Sequence, residues 1–407
     1  MNILWIPNFF PFPANNGGKV VVSNRMIQVS KKHDIFLVVE SEEIDETMKR
    51  EILKICKQYT LVKPIERNKR YIIKEFLLST LNVGRYRNVG ITRAVEEYIK
   101  KYRIDLINID LPMTFVNLYP IVNLINDIPV VINQQNIEFD CIRSKLRVKE
   151  LDFRMKLYAT IESSKLFKWE KKTYSCSAIK AFSFVSDLDI ELFQKVFECK
   201  NKELFHSPIG TNVPDIDEKN FNNSMNEKKK IVFPAAFDYG PNVHGALWFV
   251  QSVMPMVRKS VDNVELYLVG KNPKEEVRAL QCEDVIVTGT VDSMIPYMNF
   301  ASLFVVPIFF GGGVKTKLIE MGCYAKPVVS TTVGCLGTLY KNNLEIKVAD
   351  DATAFAKACI DALLYPEKWD SLRKAMLLKT YNNYLWDSIG NEYCAFLERT
   401  AQREEEC

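Results

Sequence analysis

Short apolar runs rich in β-branched and aromatic residues recur along this chain, separated by longer amphipathic stretches. In the first half they read NILWI (2–6), DIFLVV (34–39), YTLVKP (59–64), DLINI (105–109), PVVIN (129–133) and IKAFSF (179–184). In the second half they read IVFPAA (231–236), VELYLVG (264–270), DVIVTG (284–289), LFVVPI (303–308) and KPVVST (326–331). Runs of this length, apolar at nearly every position and spaced by helical patterns, predict parallel strands covered on both faces by crossover helices. Between the two sets, TNVPDIDEKNFNNSMNEKKK (211–230) is polar, asparagine-rich and charged, as a linker should be.

With 407 residues, the chain has the length of two domains. The expected architecture is α/β: two doubly wound, Rossmann-like domains facing across a cleft. Their boundaries fall at 1–207 for the first domain, 208–230 for the hinge, and 231–385 for the second domain. A closing helix at 386–407 would be free to pack back on the first. Such sheets bind ligands beyond the carboxyl ends of their strands, where the loops PFPANNGGK and the glycine triplet 311–313 would lie.

A net charge of +4 over this length argues against nucleic acid as a partner. Ten cysteines without a C-x-x-C or zinc-like spacing read as reduced thiols, which predicts a cytoplasmic location. The opening MNILWIPNFFPFPANNGG lacks the basic start of a signal peptide, and no run approaches the length of a membrane span.

The segment VVPIFFGGGVKTKLIE (305–320) passes from a strand-like run through Gly311, Gly312 and Gly313 into a helix-like stretch. Consecutive glycines allow a ligand to approach the backbone closely, and amides at a helix start favour an anion such as phosphate. Lys315 or Lys317 would add charge, and Glu320, one turn on, could accept hydrogen bonds from the vicinal hydroxyls of a ribose. The same triplet also fits a tight strand–helix turn with an ordinary Lys–Glu surface pair.

GGGVKTKLIEMGCYAKPVVSTTVGCLG (311–337) resembles the nucleotide-sugar loop and helix of family four (group 1) glycosyltransferases of the GT-B fold, in their glycine-rich-loop subgroup. FPAAFDYGPNVHGALWFVQSVMP (233–255), VELYLVGKNP, VIVTGTVDSM, SPIGTN and YLWDSIGNEYCAFL are similar to that subgroup's other segments, in order. In the first half, PFPANNGGKVVVSNRMIQVSKKHDIFLVV, INQQNIEFDCIRSK and WEKKTYSCSAIKAFSFVSDLD resemble the family less closely. Many members carry two glutamates separated by seven residues. Here Glu320 fills the second place, and Gly312 stands eight positions earlier.

The resemblance implies transfer of a sugar, with retention, from a nucleotide diphosphate sugar to a hydroxyl of a glycan or lipid-linked acceptor, in cell-surface polysaccharide or glycolipid synthesis. It implies neither a metal nor another cofactor. Lys317 and Lys315 would stabilise the departing phosphate, and Glu138 would serve the sugar or acceptor. Gly311, Gly312, Gly313, Val314 and Thr316 would cradle the diphosphate, and Thr290 and Val291 would hold the base. Asn242 and His244 would line the donor site, Gly17 and Gly18 would lie beside the donor phosphate and the acceptor, and Asn136 would touch the acceptor or the sugar. Gly17 and Gly18 also fit a plain loop, and Asn136 a helix cap. A non-catalytic GT-B subunit that binds nucleotide or scaffolds a partner is the alternative.

Two Asp-x-Asp stretches, at Asp187–Asp189 and Asp215–Asp217, read as a capping box after Ser186 and as linker, not as metal sites. KPIERNKRYIIKEFLL (63–78) and RMKLYATIESSKLFKWEKK (154–172) are basic and aromatic. They fit solvated helix faces, or peripheral contact with the inner face of a membrane.

Overall fold

In the computed structural model the apolar runs are parallel strands; residues 1–14, 17–144, 146, 152–199, 201–213, 228–311 and 313–402 are described. The first sheet contains β1 (Asn2–Ile6), β2 (Asp34–Glu40), β3 (Gln58–Val62), β4 (Leu106–Asp110), β5 (Val130–Gln134), β6 (Ile179–Phe184) and β7 (Glu203–His206), in the order β3-β2-β1-β4-β5-β6-β7. The second contains β8 (Lys229–Pro234), β9 (Val264–Val269), β10 (Val285–Gly289), β11 (Leu303–Val306), β12 (Val328–Ser330) and β13 (Lys347–Val348), in the order β10-β9-β8-β11-β12-β13. In both, the first strand is flanked by the second and the fourth: Leu4 pairs with Phe36 and Ile107, and Ile231 with Leu266 and Leu303. Each sheet is therefore doubly wound, with its order reversing beside its first strand.

The helices that matter below are α1 (Gly17–Ser30), α2 (Lys69–Leu78), α3 (Leu81–Gly84), α4 (Glu138–Ser144), α5 (Phe153–Tyr174), α6 (Asp187–Val196), α7 (Gly240–Trp248), α8 (Thr316–Gly322) and α9 (Trp386–Gln402). The chain divides into two compact units, Met1–Pro208 with Trp386–Cys407, and Ile209–Leu385. Thr211 belongs to the second unit, its amide donating to the Tyr384 carbonyl at 2.6 Å. Most of the expected linker, including Asp215 and Asp217, lies outside the described residues.

Strand alternation decides the two cores of the first unit. Leu4, Ile6, Phe36, Val38, Ile107 and Ile109 face one side with Val95, Phe182 and Phe193. Ile3, Trp5, Ile35, Leu37 and Leu106 face the other, against Val22 and Met26 of α1 and Tyr393, Phe396 and Leu397 of α9. This second face also carries a buried polar layer. Trp5 and Asn133 donate to the Asp110 carboxylate at 2.5 and 2.9 Å, and the Tyr393 hydroxyl lies 2.9 and 2.8 Å from the side-chain oxygens of Asn108 and Asn133. Arg25, fully buried, stands 5.2 Å over the Tyr393 ring and donates to the Ser207 carbonyl at 3.0 Å. These bonds fix α9 in rotation as well as position, which apolar packing alone does loosely.

Helix α5 braces three neighbours. Buried Glu162 accepts from the Thr80 hydroxyl at 2.6 Å and the Asn82 amide at 2.9 Å, placing negative charge at the start of α3. Lys165 reaches the Phe76 carbonyl near the end of α2. Glu170 accepts from the Tyr174 hydroxyl at 3.1 Å, and Gln134 of β5 donates to that hydroxyl at 2.6 Å.

Candidate functional site

In the second unit the switch in strand order lies between β8 and β11, so the loops after those two strands define the crevice where a ligand would bind. They are locked together. A Cβ on Gly245 of α7 would lie 2.3 Å from the Pro307 carbonyl oxygen, so only glycine lets the helix lie against the exit of β11. Gly311 has φ +102°, and a Cβ there would meet the Tyr239 hydroxyl at 2.9 Å and Pro241 at 3.0 Å. Glycine serves at this position both for its backbone angle and for the close approach. Asn242 donates to the Ala236 carbonyl at 2.8 Å, pinning the turn between β8 and α7. His244 is exposed, its ring 5.6 and 5.4 Å from those of Phe309 and Phe310.

The glycine loop leads directly into α8, whose N-terminal flank is Lys315. The Lys315 ammonium donates to the Gly313 carbonyl at 2.7 Å, bracing the loop from within, and burial pushes its pKa down. Lys317 and Glu320 form a half-exposed ion pair at 2.8 Å, with Thr316 on the same first turn and Val314 packed toward the core. Gly312 lies outside the described residues. Beside these loops, Gly270 after β9 has φ +150° and lies so close to the Ala235 carbonyl that any Cβ would collide with it at 1.7 Å. Thr290 follows Gly289 (φ +68°) and lines a cavity of about 400 Å³ with Asn272, Pro273, Arg278 and Gln281. Val291 packs against the core of this unit.

The first unit gathers the remaining candidates at the carboxyl ends of its own sheet. Gly17 and Gly18 are the first residues of α1 and not a loop. A Cβ on Gly18 would lie 3.2 Å from the Phe9 ring and 3.4 Å from the Gln135 side chain, so the loops after β1 and β5 meet over the start of α1. Helix α4 begins at Glu138, which puts Asn136 two residues ahead of it. Burial, reinforced by Asp189, pushes the Glu138 carboxyl up to about 7. Burial first and Asp140 second push Asp189 up to about 6, while burial and Glu138 take Glu170 up to about 8. At neutral pH this carboxyl group is therefore partly protonated and can donate a hydrogen bond as well as accept one. Ser186 caps α6 by accepting from the Leu188 amide at 3.2 Å, so Asp187 and Asp189 open a helix. No group of three His, Cys, Asp or Glu side chains is arranged to hold a metal among the described residues.

Sequence reasoning missed Tyr239, Phe310 and Arg278. The first two stand in the loops that follow β8 and β11, a position that could have marked them. Nothing in the local pattern distinguishes Arg278.

Residues 228–364 match the family model described as glycosyl transferases group 1. The chain is 24% identical over 365 residues to an uncharacterized 44.6 kDa protein in the cps region of Klebsiella pneumoniae, covering 86% of this chain and 88% of the relative. Among solved structures it resembles a glycosyltransferase from Rickettsia africae, with TM-score 0.67, 13% identity and 98% of each chain covered. It also resembles Anabaena Alr3699/HepE in complex with UDP, with TM-score 0.67, 11% identity, and 98% of this chain and 100% of that one covered. The two doubly wound units thus make a GT-B fold.

Proposed function

We infer, from a GT-B glycosyltransferase chain whose residues 228–364 belong to the group 1 glycosyl transferases, that the glycine loop 311–313 receives the diphosphate of a nucleotide sugar. The enzyme then moves that sugar, with retention, to an acceptor hydroxyl. The observation that carries this reading is the packing of two loops at the switch point of the second sheet. Gly245 lets α7 lie against the Pro307 backbone there, Gly311 lets the loop pass against the side chains of Tyr239 and Pro241, and Lys317 and Glu320 stand one turn apart on the helix that follows.

Each residue has a chemical task in this reading. As the bond between the sugar C1 and the phosphate oxygen breaks, negative charge grows on the diphosphate. The loop amides and Lys317 oppose that charge, the kind of electrostatic contribution that usually dominates in a catalytic site. Lys315 holds the loop in shape from within. Glu320 accepts hydrogen bonds from the ribose hydroxyls, and the cavity beside Thr290 takes the base. On the first unit Glu138, with its raised pKa, donates a hydrogen bond to a substrate hydroxyl. The departing phosphate accepts the acceptor's proton, and no metal takes part. Anabaena HepE was crystallised with UDP, which supports a nucleoside diphosphate as the ligand. The cps-region relative supports a place in cell-surface polysaccharide synthesis.

The acceptor side supports a lipid-linked substrate. Helix α2 exposes Ile72, Ile73 and Leu77 beside Lys69, Arg70 and Lys74, and the start of α5 exposes Phe153, Met155 and Leu157 beside Arg154 and Lys156. Apolar side chains interleaved with cations suit the surface of an anionic bilayer. No helix among the described residues is long and apolar enough to cross a membrane.

A thermal-shift panel of UDP, GDP, ADP and CMP tests the site. At a hundredfold excess over the dissociation constant, the true nucleotide stabilises by about 2.7 kcal/mol. A panel in which no nucleotide raises the melting temperature would leave the glycine loop a structural turn.

A further inference from the structure

We propose that the first unit carries a second ligand site, a cavity between α2, the turns after β4 and the last turns of α5, and that it takes a phosphate monoester. The cavity measures about 540 Å³, a size usual for a small-molecule site. Gly17, Gly18, Asn136 and Glu138 are not among its lining residues, so it stands apart from the groups assigned to sugar transfer.

Three cations, Lys74, Arg87 and Lys172, line the cavity with one carboxylate, Glu75. Buried Glu75 lies 3.3 Å from the Arg87 guanidinium, and that pair neutralises itself within the wall. Lys74 and Lys172 are left as two positive charges, neither with a carboxylate at ion-pair distance among the described residues. Trp169 and Ser79 add an indole N–H and a hydroxyl that make no hydrogen bond to the described residues. The lining is also held in place. The Tyr119 hydroxyl is tied to Thr173 at 2.7 Å, and its ring packs edge-on against Phe115 at 5.2 Å and Trp169 at 6.3 Å. The Lys172 ammonium lies 5.9 Å over that ring.

Two ammonium charges match a phosphate monoester, which carries about −1.5 to −2 at neutral pH. Its oxygens can also accept from the indole N–H and the hydroxyl. A carboxylate would leave one charge uncompensated, and a neutral sugar would leave both. Apolar surface adjoins Lys74. Leu77 stands one turn after Lys74 and one turn after Ile73, and Ile73 and Leu77 are 59% and 70% exposed. A lipid phosphate would set its chains against these side chains, whereas a soluble ester would leave them bare. The two sources share the same phosphate chemistry.

The experiment is calorimetry on the full chain with glycerol 3-phosphate, beside co-sedimentation with phosphatidylcholine vesicles that contain phosphatidic acid or, at matched surface charge, phosphatidylserine. A soluble ligand would show as binding of glycerol 3-phosphate. A lipid would show as a preference of at least about tenfold for phosphatidic acid over phosphatidylserine, without binding of the soluble ester. In either case Lys74→Gln with Lys172→Gln should lower that affinity or preference at least about tenfold. Trp169→Phe, which keeps a ring and removes the N–H, should lower it several-fold. Lys168→Gln with Lys171→Gln removes the same charge from exposed positions of α5 outside the cavity and should leave it intact. The inference is overturned if the parent neither binds glycerol 3-phosphate nor prefers phosphatidic acid. It is equally overturned if the cavity variants match the parent, or if the two double variants lose alike, which would reduce the effect to overall charge.

Discussion

Replacing Gly245 by alanine tests whether the loop after β11 is set by the helix packed beneath it. Alanine in a helix interior is intrinsically about 1 kcal/mol better than glycine, so on propensity alone the variant should gain stability. The structure opposes this. The new Cβ would lie 2.3 Å from the Pro307 carbonyl oxygen and 3.4 Å from the Pro307 ring. Helix α7 or the exit of β11 must then shift by about 1 Å to reach ordinary van der Waals contact, and overpacking of this kind costs about 1–3 kcal/mol. The two effects leave the variant up to about 2 kcal/mol less stable. Pro307 leads straight into the glycine loop, so the displacement also reaches the diphosphate site. A misplacement of about 1 Å there should weaken nucleotide binding tenfold or more. The control is Gly240→Ala, at the first residue of the same helix, where no atom stands within 4 Å of the new Cβ. Guanidinium unfolding measures the stability of both variants, and calorimetry measures their nucleoside diphosphate affinity. If Gly245→Ala matches Gly240→Ala in both, the loop does not depend on this contact and the packing argument fails.

Glu320→Ala should weaken nucleotide binding by roughly 1.5–3 kcal/mol if the carboxylate holds the ribose through charge-assisted bonds, and unchanged calorimetric affinity would remove that role. Glu170 is fully buried and titrates at about 8 beside Glu138 and Tyr174, well above an unfolded carboxyl. The folded state therefore holds a proton that the unfolded state releases, so this group's contribution is complete below about pH 4.5 and is lost as pH rises towards 8. Glu170→Gln, which mimics the protonated form, should accordingly be a few kcal/mol more stable than the parent at pH 8 and similar at pH 4.5. A parallel offset at both pH values in denaturant titrations would contradict this. Ile73→Glu with Leu77→Glu, both on the exposed face of α2, should abolish co-sedimentation with anionic vesicles while leaving nucleotide binding intact. Equal sedimentation of parent and variant would exclude that surface.

The apolar runs read from the sequence all became strands because strands buried on both faces need apolar side chains at nearly every position, and few other structures do. β7 and β13 escaped for the opposite reason. Glu203–His206 lies at the edge of its sheet with every residue only partly buried, and Lys347–Val348 is two residues long. An edge strand carries half the burial and so half the signal. The doubly wound order was inferable from the alternation of strands and helices. The buried bonds that hold α9 were not, because Tyr393 reaches Asn108 and Asn133 across more than half the chain.

The candidate site shows the same division between local and distant information. The glycine triplet and the Lys317–Glu320 spacing announced themselves because both are consecutive or one turn apart, and Lys317 does meet Glu320. Lys315 looked equivalent to Lys317 in the sequence, and only the path of the loop turns its ammonium onto the Gly313 carbonyl. Gly245 attracted no notice, since a lone glycine inside a helical stretch usually signals only weak helix propensity. Its role comes from Pro307, sixty-two positions later in the chain. The raised pKa of Glu138 likewise comes first from burial and then from Asp189, brought in by a different helix. A sequence displays the groups that act with their neighbours along the chain. The groups that position them act across the fold, and here those are the glycines and carboxylates whose substitution tests the site most directly.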